Sequence, residues 1–144
     1  YRILHEYTDP FAFIAEAPVY ADLRAGQQED LARAESLTPQ VQGPGGAIYI
    51  LPDAAWARRV SGVFANRIAN ASPRRAHAVL TPTRAGAYTV SVRAPLARRE
   101  GADTLCRAFP GGGGRRAAAG INGLPDAEVD TFVRAFQAAW PAPV

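Results

Sequence analysis

Four consecutive glycines, Gly111–Gly114, run straight into Arg115-Arg116 and then Ala117-Ala118-Ala119-Gly120. Glycine loses more conformational freedom on folding than any other residue. A folded chain therefore keeps four in a row where the backbone must do something that side chains forbid. One such job is a concavity of N–H groups that cradles an anion, with no Cβ to block its approach. The two guanidinium groups that follow add fixed positive charge and can fork onto phosphate oxygens. The small residues 117–120 let a strand pack closely behind. No Lys-Ser/Thr follows the glycines, which excludes a Walker loop, and no strand precedes them at dinucleotide-fold spacing. A flexible loop has the same composition, so the run alone leaves both readings open.

A second segment is Val90-Ser91-Val92-Arg93. In a strand, alternation puts Ser91 and Arg93 on one face and the two valines on the other. Arg93 stands where the strand runs out into Ala94-Pro95; by itself it reads as a solvent-facing arginine. Tyr88 is the one aromatic on this strand that a base could stack on, with strand packing as the ordinary alternative.

Other chemistry has little to build on. His5 and His77 have no Asp, Glu or His neighbour at ligand spacing and read as structural or solvent-facing. A paired metal site that activates water needs clustered carboxylates, and none stands out. Cys106 shares the apolar face of Leu105 and Phe109 and reads as a buried, inert thiol. There is no Gly-x-Ser-x-Gly elbow; Ser61-Gly62 fits a packing position within a helix.

The 144 residues are one domain's worth of chain, with 48% hydrophobic and 20% charged residues, as in soluble globular proteins. No apolar run approaches the ~18 residues that span a membrane. The opening Tyr1-Arg2-Ile3-Leu4-His5-Glu6 has neither part of a signal peptide, so a cytoplasmic setting is the default expectation. A lone cysteine builds no internal disulfide framework. The absence of methionine suggests a piece of a longer protein.

Charge is uneven: residues 1–40 carry three Arg against seven acids, and residues 41–144 carry thirteen Arg against six. Every basic residue is Arg, and four pairs stand out: Arg58-Arg59, Arg74-Arg75, Arg98-Arg99 and Arg115-Arg116. A one-sided basic balance is the footprint of a polyanion partner. A genome that encodes Arg in preference to Lys would leave the same composition.

Residues 1–40 read as helical connectors, with a helix after Asp9-Pro10 and a polar one from about Val19 to Ser36. Gln42-Gly43-Pro44-Gly45-Gly46 is a linker or turn. The run 47–51 is a buried strand. Asp53 is placed to cap a helix whose stripe is Trp56, Val60, Val63, Phe64 and Ile68. Residues 77–81 and 87–93 form a strand pair around a Pro82/Gly86 loop. A short helix carries Ala102, Leu105, Cys106 and Phe109, Arg116 to Ile121 is a last strand, and a closing helix from about Asp126 to Trp140 presents Val129, Phe132, Val133, Phe136 and Trp140. The order β-α-β-β-α-β-α implies an α/β fold, a mixed sheet covered by helices and preceded by connectors.

Taken together, the strand ending Ser91-Val92-Arg93, the helix through Asp103, Leu105 and Phe109, and the glycine run with its Ala-Ala-Gly resemble the DHHA1 domain. This is the C-terminal lobe of the DHH phosphoesterase superfamily, which includes single-strand exonucleases and oligoribonucleases. In the family the strand ends Ser-(Val/Leu)-Arg-Ser, and the helix leads to Gly-Gly-Gly-His, a basic residue and Ala-Ala-Gly. The match covers roughly residues 46–140; the family histidine falls on Arg115. The resemblance implies a phosphate-binding lobe with Ser91, Arg93, Gly111, Gly112, Gly113, Gly114, Arg115 and Arg116 at the substrate. It implies single-stranded nucleic acid or a nucleotide as partner, and manganese in an upstream catalytic lobe, with no cofactor and no catalysis in this chain. A second copy of the chain is a further admissible partner. Two alternatives stay open: an assembly module that has lost substrate binding, and a tRNA-binding appendage like that of alanine tRNA synthetase.

Overall fold

A strand pair with its crossover helix organises the molecule. In the computed structural model, which describes residues 27–83 and 86–144, a helix over residues 27–35 (α1) leads into β1 (Val41–Gly43) and β2 (Gly46–Ile50). Then come α2 (Ala55–Ala71), β3 (Ala76–Pro82), β4 (Ala87–Arg93), α3 (Ala102–Arg107), β5 (Gly112–Gly114), β6 (Ala118–Pro125), a 3-10 turn (Asp126–Glu128) and α4 (Val129–Ala139). The strands form one six-stranded mixed sheet in the order β1-β2-β3-β4-β6-β5. Only β2 and β3 are parallel, and α2 makes the crossover that parallel neighbours require. Pro73, two residues beyond α2, cannot extend a helix, and the chain turns there into β3.

Alternation along the strands divides the apolar residues between two clusters. One face carries Ile48, Ala78, Leu80, Val90, Val92, Ala119 and Ile121, covered by Leu105 and Cys106 of α3 and by Phe132, Phe136 and Trp140 at α4. The rings of Phe132, Phe136 and Trp140 stack in sequence, with centroids 6.3 and 5.2 Å apart. Each such side chain removed from water is worth ~1.5–3 kcal/mol, which is what docks α4 on the sheet. The other face is covered over β2, β3 and part of β4: Val60 and Phe64 of α2 meet Leu51 and Val79, and α2 also packs along β4. Leu31 and Ala34 of α1 are buried in that second cluster.

The architecture is the mixed, helix-covered sheet expected from sequence, with several local corrections. Asp53 does not cap α2. The N-cap is Ala54, without a side-chain bond, and the Asp53 carboxylate pairs with Arg58 at 2.7 Å. Val63 lies off the buried stripe, 40% exposed. Of the two readings of 42–46, linker or turn, the structure shows the turn: a hairpin in which Gly43 pairs with Gly46 across Pro44-Gly45. The last strand begins at Ala118 and reaches Pro125, since Arg116 sits in the preceding turn. The helix expected from Asp9-Pro10 and the start of the next one fall outside the described residues.

Candidate phosphate-binding site

Beyond the edge of α2, which runs along β4, the second face is floored by the flank of β4 and by β6 and β5. Register places Ser91, Gly120 and Gly113 in one cross-strand row, and Arg93 beside Ala118 in the next. Thr89 and Asn122 form the row on the other side. Ser91, Gly113, Ala118 and Gly120 are half-buried, and no large side chain rises from this strip. Ser91 makes no side-chain hydrogen bond to any described residue.

The glycine run is an edge strand. The Asn122 N–H donates to the Gly111 carbonyl at 3.1 Å and the Arg115 N–H to the Ala118 carbonyl at 2.8 Å. Antiparallel alternation then makes Gly113–Gly120 the hydrogen-bonded pair between them. The Gly112 N–H turns back to the Phe109 carbonyl at 3.0 Å. Three of the four glycines have plain steric reasons, Gly114 among them with φ +141° and a Cβ that would lie 2.6 Å from the Ala119 Cα. Gly111 has φ +79°, and a Cβ there would lie 2.6 Å from the Asn122 carbonyl. At Gly112 it would collide with the Cys106 carbonyl of α3. Gly113 is different: a Cβ there would meet nothing within 4 Å, so the open floor is bare where packing would allow a side chain.

Arg93 is half-buried at the end of β4. Its Nε donates to Asn66 Oδ1 of α2 at 2.8 Å, and its Nη1 to the Val92 carbonyl at 3.3 Å. No carboxylate pairs with it among the described residues. Burial lowers its pKa, and the like charge of Arg115 lowers it further. The Arg93 guanidinium nonetheless keeps its charge, and its repulsion with Arg115 is what an anion between them would relieve. Arg115 itself is exposed in the turn that joins β5 to β6. Arg116, its neighbour, is not part of this group. It lines a groove of ≈ 800 Å³ beside Glu100, Asp103 and Ala135, against α3 and α4. The structure thus gathers Ser91, Arg93, Gly113 and Arg115 on one open strip and sends Gly112 and Arg116 elsewhere.

Asn66 was not legible as a site residue. It lies 27 positions before Arg93, and only the β3–β4 register and the seat of α2 bring them together. His77 is buried opposite Arg93 on β3, with an Nδ1 that has no partner among the described residues. Burial, and then the charge of Arg75, push its pKa down to about 4, so it is neutral at pH 7. His5 falls outside the described residues. Tyr88 packs on the opposite, sealed face and hydrogen-bonds Asp126 at 3.4 Å, so it offers no stacking surface at this strip. Burial and the nearby Asp103 raise the Cys106 thiol to about 11, which keeps it protonated and unreactive. No group of three or more His, Cys, Asp or Glu that could hold a metal exists among the described residues. None of their helices is long and apolar enough to cross a membrane.

Fold and strip together define an α/β module with an unneutralised arginine pair on an open, small-residue sheet surface. No family model matches the chain, and no curated protein matches it. Solved structures do. The crystal structure of RecJ from Thermus thermophilus in complex with Mn2+ aligns over 96% of this chain, with TM-score 0.71 and 23% sequence identity. A crystal structure of exonuclease RecJ bound to manganese aligns over 89%, with TM-score 0.57 and 18% identity. The chain spans 21% and 31% of those two proteins. At these identities the likeness establishes a shared fold.

Proposed function

We propose that this chain is the substrate-gripping lobe of a DHH-type phosphoesterase. It holds a phosphate of a nucleotide or a short single strand between Arg93 and Arg115. The observation that carries the reading is this arginine pair, set in one cross-strand row on either side of Ala118 with no carboxylate partner among the described residues. The shared fold with the RecJ structures and the DHHA1-like order of motifs support it. Arg115 stands where that motif has histidine, and an arginine there donates hydrogen bonds without accepting any. It serves phosphate oxygens and no proton transfer. Ser91 adds a hydroxyl beside the anion, and the bare surface at Gly113 and Gly120 lets the ligand lie close to the backbone. Manganese and the water it activates belong to a separate lobe of the longer protein, for which residues 1–40 form the connection.

Titration with a nucleotide monophosphate and a single-stranded oligonucleotide, at low and high salt, tests this. Both should bind the parent at low salt and weaken as salt rises, because each neutralised phosphate releases counterions. Arg93→Ala and Arg115→Ala should each weaken binding while the melting temperature stays near that of the parent. If neither ligand binds the parent, or both variants bind like it, the site does not exist and the assembly-module reading replaces it.

A further inference from the structure

The structure sorts the four arginine pairs. Arg58-Arg59, on α2, is neutralised: Arg58 pairs with Asp53 at 2.7 Å and Arg59 with Asp30 at 2.9 Å. The other three pairs converge on one end of the sheet, where β3 begins, β4 ends and β5 turns into β6. Backbone bonds lace the connecting loops there. The Ala94 N–H donates to the Ala117 carbonyl and the Ala97 N–H to the Pro73 carbonyl, both at 2.9 Å. The loop carrying Arg98 and Arg99 is thereby held between the Arg115 turn and the start of β3.

Their roles at this end differ. Arg75 is tied down, donating to the Gly43 and Gly46 carbonyls at 2.7 and 3.2 Å, and Arg74 leans on the Val144 carbonyl. Arg98, Arg99 and Arg115 are exposed and form no ion pair with any described residue. The acids nearby are Glu100 and Asp103, and Asp103 lies 3.4 Å from Arg107. At the far end of the strands stand Asp53, Asp126, Glu128 and Asp130. The described charges are thus biased along the strand axis: unpaired arginines outnumber Glu100 and Asp103 at this end, and at the other end Asp53 is already paired with Arg58. From β5 to β3 the basic end crosses three strand spacings, ~14 Å, which is wider than one phosphate can bridge.

We infer that this end of the sheet is a basic track for a single-stranded nucleic acid, running from the Arg93–Arg115 pair over Arg98 and Arg99 toward Arg74. The inference rests on the phosphate site proposed above and extends it from one phosphate to several. Arg93 and Arg115 grip a single phosphate; Arg98 and Arg99 take those that follow. Length discrimination is the result, because a mononucleotide reaches only the first station.

The test compares thymidine monophosphate with a single-stranded oligothymidylate of about twelve nucleotides. The ligands are titrated into the 144-residue chain and its Arg98→Ala/Arg99→Ala variant across a salt series. The variant should bind the mononucleotide like the parent and the oligonucleotide several-fold more weakly. Its slope of log affinity against log salt should be shallower by about 1.4, for two lost single-strand phosphate contacts. Arg93→Ala should weaken both ligands. An oligonucleotide slope unchanged in the double variant would refute the track and leave the single-phosphate site standing. Failure of the parent to bind either ligand would remove both. Phosphatidylserine vesicles that capture the parent, lose it on the double substitution and outcompete the oligonucleotide would assign the basic end to a membrane surface, against the inference. An unchanged thermal melt shows that the double variant is folded.

Discussion

The two faces of the sheet are built from the same strands and end up with opposite characters. On one, α3 and α4 lay Leu105, Phe132, Phe136 and Trp140 over a continuous apolar layer. On the other, α2 runs over β3 and along β4 and stops, and Ser91, Arg93, Gly113 and Gly120 stay half-buried at its edge. The single strand β4 shows both outcomes in alternate residues: Val90 and Val92 are about 1% exposed or less, while Thr89, Ser91 and Arg93 are not buried. Stability is concentrated on one side of the sheet and ligand chemistry is available on the other. Substitutions should therefore separate cleanly by face.

The largest effect should come from the sealed face. Phe136→Ala removes a ring that is 2% exposed and stacked between Phe132 and Trp140. A loss of ~3–5 kcal/mol is expected in chemical denaturation. An unchanged unfolding midpoint would mean that α4 is not docked as described. A smaller but sharper contrast lies within the glycine run. Gly112→Ala drives a methyl into the Cys106 carbonyl and should cost ~2–3 kcal/mol, since backbone cannot step aside as a side chain would. Gly113→Ala, one residue on and facing the open strip, should shift stability by no more than about 0.5 kcal/mol. It should instead weaken nucleotide binding by raising the floor. Equal melting losses for the two would break the comparison of faces.

His77 gives a pH test on the partly covered face. Its proton uptake is held to about pH 4 in the fold and returns to about 6.5 on unfolding. Between those values the unfolded chain binds more protons, so stability is full above about pH 6.5 and falls as the solution is acidified toward 4. The loss should be on the order of 3 kcal/mol. His77→Gln should flatten that part of the stability profile relative to the parent. Coincident profiles would show that the imidazole is not shielded from solvent.

Periodicity made most of the fold legible. Residues 77–81 centre on a short apolar run and 87–93 alternate, and the closing helix carries its aromatic stripe at helical spacing, so these elements were placed within a few residues. The misplacements have physical causes. The edge strands β1 and β5 are three residues each, and β5 consists of glycine, so neither has an alternating side-chain pattern to read. Asp53 has the chemistry of a cap, and the competing Arg58 guanidinium takes it. In the candidate site, the association of Ser91, Arg93 and the glycine segment followed from their types and motif order. Three further features depend on pairing register and turn geometry, which no local spacing encodes: the opposed directions of Arg115 and Arg116, the support from Asn66, and the convergence of three arginine pairs.

The stacked rings of α4 also bear on how the molecule is made. Phe136 lies against Gly46, and Trp140 against Gly45, in the hairpin that opens the sheet. The earliest strands of the sheet thus wait for the last helix to close over them. While the chain is being synthesised, β2, β3 and β4 can pair, yet their apolar face stays bare until residues 132–140 have cleared the ribosome. Helix and hairpin must then find each other across almost the full length of the module, late and in one step. For that interval the nascent chain presents an adhesive surface, and a slow ribosome at the end of this segment prolongs its exposure to aggregation and to chaperones.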